Sequence, residues 1–158
     1  MSSSTPKFLC DAMLGHIGRR LRAAGYDTEI DVGKIGDDVL VEMARKQDRT
    51  LLTCDRGILN LESSAQILYL PLNDELSWAE KLSNEIGLNW LLAPMTRCLD
   101  CNTPLVPADE AHQNRMPEGI RKYGRSGVVC NVCDKVYWEG THTERMRAQL
   151  QILSEAGR

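Results

Sequence analysis

The chain has 158 residues, 42% of them hydrophobic and 26% charged, with a formal net charge of −3. That length fits one domain or two small ones, and the composition is that of an ordinary soluble protein. The charge excludes a polycation that grips nucleic acid over its whole surface, so any such contact must be a local patch. No apolar stretch is long enough to span a bilayer. Met1-Ser2-Ser3-Ser4-Thr5-Pro6 lacks the basic start and apolar core of a signal peptide. A cytoplasmic protein without membrane contact is expected. Disulfides are rare in that compartment, so the six cysteines point to metal or catalysis.

Residues 7–11 predict a first strand. Leu14, Ile17, Leu21 and Ala24 then recur at helical spacing, and Gly25 ends that helix. Residues 26–30 read as a second strand, followed by a glycine-containing loop. A helix follows with Val39, Leu40, Met43 and Ala44 as its apolar set and Asp37 or Asp38 at its start. Residues 50–53 and 66–70 read as strands on either side of a short helix or turn, and Pro71 closes the last one. The next helix covers about residues 74–86, with Leu76, Ala79, Leu82 and Ile86 apolar. Strands alternating with helices argue for an α/β domain with a mainly parallel sheet. Around Pro94 the helical period is lost and cysteine, glycine and proline become dense. A last helix over about residues 143–154 carries Met146, Leu150 and Leu153 on one side, with Thr141 and Glu144 spaced as a capping box. The expected division is residues 1–94 and 95–158.

Cys98-Leu99-Asp100-Cys101 and Cys130-Asn131-Val132-Cys133 are two Cys-x-x-Cys turns. Each presents two thiolates to one tetrahedral ion, and four sulfurs leave no open position, so the expected ion is a structural Zn²⁺. It also explains how a segment with so few apolar side chains stays folded. Two redox pairs are the rival reading.

The first and third strands share a design: an apolar run ending Cys10-Asp11 or Cys54-Asp55. Strand tips line the crevice where ligands bind in open parallel sheets. Two carboxylates in one crevice repel each other, and a divalent cation holds them there. Asp11 and Asp55, with Asp37 or Asp38, are therefore the candidate ligands of a catalytic Mg²⁺ or Mn²⁺ that cuts a phosphodiester. The plainer alternative is that each aspartate caps the helix after it. Cys10 and Cys54 read as small buried hydrophobes. Arg19, Arg22 and Arg56 are candidate phosphate contacts, though charge on a helix is more often a solvated face. Arg115, Arg121, Lys122 and Arg125 surround Tyr123 between the cysteine turns, a mixture suited to single-stranded RNA or equally to a solvated loop.

The string from Asp11-Ala12-Met13-Leu14-Gly15 through Leu21-Arg22, Gly25-Tyr26-Asp27, Asp37 and Thr53-Cys54-Asp55-Arg56 resembles the PIN-like Mut-seven C-terminal RNase domain family. The second half is similar too, through both cysteine turns and Val136-Tyr137-Trp138-Glu139-Gly140-Thr141-His142. The resemblance implies a three-layer α/β/α PIN-like domain with a C-terminal zinc ribbon and terminal helix. It also implies ribonuclease activity on RNA, with Asp11, Asp37 and Asp55 around Mg²⁺ or Mn²⁺. There is no convincing glutamate between the first helix and Asp37, where the wider PIN pattern has an acid. Asp31 or Asp74 could take that place, and Asp74 is positioned to cap its own helix. The alternative reading is a non-catalytic RNA- or protein-binding module with a depleted acid set. For the nuclease, Asp11→Asn is expected to abolish cleavage with the melting temperature unchanged or raised.

Overall fold

The computed structural model describes residues 4–61 and 63–158. Four strands, β1 (Phe8–Cys10), β2 (Thr28–Ile30), β3 (Thr50–Thr53) and β4 (Ile67–Tyr69), form a parallel sheet in the order β2-β1-β3-β4. Helix α1 (Gly15–Ala23) carries the chain from β1 out to β2, and α2 (Asp37–Lys46) carries it back across β1 to β3. Crossovers in opposite directions with one hand put the two helices on opposite faces.

The side chains follow that division. Cys10 and Leu52, paired across β1 and β3, face a large core with Leu14 and with Ile17 and Leu21 of α1. Leu9 and Leu51, one step back, face a second cluster with Leu40, Val41 and Ala44 of α2. Strand alternation thus sorts one apolar run into two layers. Within α2, Val41 takes the buried place expected of Val39, which is exposed. In α3 (Glu75–Ile86), Trp78 joins Ala79 and Leu82 in the core, while Leu76 and Ile86, expected inside, are exposed. Asp74 caps α3, accepting from the Ser77 N–H at 2.8 Å.

Gly25 is required where it stands. Its φ is +103°, and a Cβ there would meet the Ala93 carbonyl oxygen at 2.7 Å. Residues 93–95 dock on the end of α1 through Ala93 N–H to Ala24 O (2.9 Å) and Met95 N–H to Ala23 O (2.7 Å). The chain then forms an antiparallel ribbon, β5 (Val106–Pro107), β6 (Val128–Val129) and β7 (Val136–Tyr137), around Met116, Val129 and Val136. Short helices α4 (Glu110–Gln113) and α5 (Glu118–Lys122) occupy the stretch between β5 and β6.

Helix α6 (Thr141–Ala156) follows the ribbon in sequence but packs on α3 and α1, with Leu150 and Leu153 fully buried in the large core. Its cap differs from the expected Thr141–Glu144 box. Gly140 is the N-cap, and its N–H donates to Thr143 Oγ1 at 2.8 Å. Among the described residues no helix is long and apolar enough to cross a membrane.

Candidate active site and metal centre

The connection from β1 leaves toward β2, and that from β3 leaves toward β4. The gap between the carboxyl ends of β1 and β3 is therefore the topological switch point, where an open parallel sheet leaves a crevice. Asp11 and Asp55 stand at this gap.

Asp11 is buried and held by three donors. Its Oδ1 accepts from the Met13 N–H (3.0 Å), and its Oδ2 accepts from Thr53 Oγ1 (2.6 Å) and the Cys54 N–H (2.9 Å). Asp11 thus caps the 3₁₀ turn at Ala12–Leu14 and also locks to β3, so the capping role and a place in the crevice coexist. Thr53 Oγ1 also accepts the Asp55 N–H at 3.0 Å, which ties the two acids through one hydroxyl. Asp55 is exposed, and its Oδ1 accepts the Gly57 N–H at 2.7 Å, capping the turn at Arg56–Asn60.

Asp31 is the acid that sequence reasoning left in a loop. Its N–H donates to Cys10 O at 2.9 Å, extending the β1–β2 ladder one step and setting Asp31 beside Asp11. It is buried, and its Oδ1 has no hydrogen-bond partner. The available signal was that Asp31, like Asp11, directly follows a strand. Asp37 opens α2 and shares the helix face of the buried Leu40 and Val41. Asp38, beside it at the start of α2, lines a groove with Glu42 and Lys46. Gly36, not either aspartate, is the N-cap of α2.

Among the described residues, no three carboxylates bring donor oxygens within 4.8 Å of one another. Mg²⁺ needs no such cage, because it keeps several waters and is often held by one or two carboxylates. A buried carboxylate oxygen without a partner beside a second carboxylate is a donor set such an ion fits.

The cysteine centre is tighter. The four Sγ atoms of Cys98, Cys101, Cys130 and Cys133 lie within 4.8 Å of one another, and Cys98 and Cys133 are 3.7 Å apart. A tetrahedron with Zn–S arms of ~2.3 Å has edges of ~3.8 Å. The two turns repeat one geometry. Asn102 N–H returns to Cys98 O and Asp134 N–H to Cys130 O, both at 2.9 Å, with Asn102 at φ +66° and Asp134 at φ +63°. Cys10 and Cys54 behave as hydrophobes, and burial, then Asp11, raises both thiols above their ordinary value.

The basic residues divide. Arg56 is exposed at the strand tips, its guanidinium 5.4 Å from the Tyr69 ring and its Nε donating to Tyr69 Oη at 3.2 Å. Arg19 pairs with Asp100 at 2.6 Å. Arg121 and Lys122 are exposed on α5 beside Tyr123, which is 81% exposed. Arg22 is buried, donating to Thr28 O (2.8 Å), Leu99 O (2.9 Å) and Asp100 O (3.1 Å), so it clamps the ribbon to the sheet.

Residues 6–150 match the family model of the Mut7-C RNAse domain. The chain belongs to that family. The family's description suggests a nuclease-type function, and the matched span includes both the strand-tip acids and the four cysteines. No curated protein and no solved structure matches the chain.

Proposed function

We propose that this Mut7-C domain is a metal-dependent ribonuclease that hydrolyses RNA phosphodiester bonds at the β1–β3 gap. The observation that carries the reading is the unpartnered, buried Asp31 oxygen beside Asp11 at the switch point. Asp11, Asp31, Asp37 and Asp55 hold Mg²⁺ or Mn²⁺. Bound there, the ion would stabilise charge on the phosphate and lower the pKa of an attacking water. Thr53 orients Asp11 and the backbone of Asp55 together, fixing the direction from which the acids meet the phosphate. Arg56, held against Tyr69 at the rim, contacts the RNA backbone, with Arg121, Lys122 and Arg19 farther out. Zn²⁺ in the four-cysteine centre is structural.

The test is cleavage of total RNA with Mg²⁺, with Mn²⁺ and with neither. Asp55→Asn keeps the Gly57 cap, because an amide oxygen accepts as well as a carboxylate, so it should abolish cleavage without lowering the melting temperature. Asp11→Asn is a poorer probe than the sequence suggests. Its amide would turn N–H groups toward the Cys54 N–H or the Met13 N–H, so folding should weaken as well. RNA binding that ignores divalent ions, with no cleavage by the wild-type protein, would instead assign the chain as a non-catalytic binding module.

A further inference from the structure

Val136, Tyr137, Trp138, Gly140, Thr141 and His142 have no part in the acid site, yet they wall a cleft of about 480 Å³ where the ribbon, α1 and α6 meet. That volume lies within the ~300–1,000 Å³ of small-ligand sites. Trp138, Tyr137 and Met146 supply an apolar and aromatic lining, and Arg19, Lys135 and His142 supply a basic rim.

Arg19 and Lys135 approach the same acid, Asp100, at 2.6 Å and 3.1 Å. One carboxylate therefore holds two cations at the mouth and leaves one positive charge over. Lys135 Nζ also lies 5.3 Å from the Tyr137 ring centre. The ring is fixed in turn, because Tyr137 Oη accepts the Leu99 N–H at 3.1 Å. Aromatic faces beside fixed cations, on a chain of net charge −3, suit a ligand with both a π-face and a phosphate.

We propose that this cleft seats one nucleotide of a single-stranded RNA, its base against Trp138 and its phosphate between Lys135 and His142. The proposal rests on the ribonuclease reading and adds a binding site separate from the acids. Helix α1 connects the two. It starts four residues after Asp11, and Arg19, which lines the cleft, lies one turn, about 6 Å of rise, along it. A strand laid along α1 would thus be anchored at one end and cut at the other.

The experiment measures the affinity of a fluorescent oligouridine and an oligoadenosine for the Asp55→Asn protein without added divalent ion. His142→Glu and Trp138→Leu are then introduced on that background. An acid in the first turn of α6 complements the helix dipole, so His142→Glu should keep or raise the melting temperature. It should still weaken RNA binding about 10-fold by facing the phosphate with a negative charge. Trp138→Leu keeps an apolar filler but no stacking face and should also weaken binding about 10-fold. Zinc content should stay at one per chain in both. Unchanged affinity in the folded His142→Glu protein overturns the cleft, even if the wild-type protein cleaves RNA. Lost affinity in His142→Glu, with no cleavage by wild type under any ion, supports the cleft and overturns the nuclease.

Discussion

Thr53 Oγ1 donates to Asp11 Oδ2 at 2.6 Å while accepting the Asp55 N–H at 3.0 Å. One buried hydroxyl thus sets the position of both strand-tip acids. Thr53→Val keeps the shape and removes the hydroxyl. Divalent-ion affinity or activity should fall about 10- to 100-fold, as when the outer partner of a metal ligand is lost. Thr53→Ser should restore most of it. A Mn²⁺ titration of cleavage measures both, and full activity in the valine variant would separate Thr53 from the site.

Asp31 is tested by stability. A buried carboxylate oxygen with no partner costs about 1–3 kcal/mol, and Asp11 stands beside it. Asp31→Asn removes the charge and keeps the volume. Without added divalent ion, the melting temperature should rise by about 2–4 °C per kcal/mol relieved. Added Mn²⁺ should stabilise the wild-type protein more than the variant. A lower melting temperature in the variant would mean that Asp31 has a structural partner.

Arg22 clamps sheet to ribbon through three carbonyls. Arg22→Met should destabilise by about 3 kcal/mol, because buried acceptors lose a charged donor. Arg22→Lys should rescue little, since an ammonium lacks the planar fork. Urea unfolding decides this. If RNA affinity falls in either variant without loss of stability, Arg22 contacts substrate after all.

Zinc removal should act on the whole chain. Leu99, inside the first cysteine turn, lies in the same core as Leu14 and Leu150. Chelation, or Cys130→Ser, should therefore lower one cooperative transition. A calorimetric trace with the ribbon melting separately from an intact sheet domain would contradict this.

His112 gives a pH dependence of defined sign. Its ring nitrogens lie 2.7 Å from Asp134 and 2.6 Å from Asp109, and Arg115 also binds Asp134. Hydrogen bonds to Asp134 and Asp109 raise the imidazole above its ordinary value. The stabilisation is full below the unfolded value of ~6.5 and is lost as pH rises through the higher folded one. Melting temperatures on both sides of neutrality should show that loss, and His112→Gln should remove it.

Much of this was legible because the signals are local. Leu14, Ile17, Leu21 and Ala24 all reach the core, and the cysteine spacing led directly to the sulfur cluster. The α3 pattern failed at Leu76 and Ile86 because Trp78 supplies the buried bulk, which spacing alone does not reveal. Arg22 looked like its exposed neighbours because its partners, Leu99 and Asp100, lie far along the chain. Asp31 was obscure for a similar reason. Only the β1–β2 register shows that it stands beside Asp11.

The position of α6 has a consequence for synthesis. Leu150 and Leu153 cover the same core as α1 and α3, yet they are translated after every strand of the parallel sheet. A nascent chain therefore carries an uncovered greasy surface until α6 has cleared the ribosome. Ribosome-held chains stopped before α6 should recruit chaperones, and chains that include α6 should not.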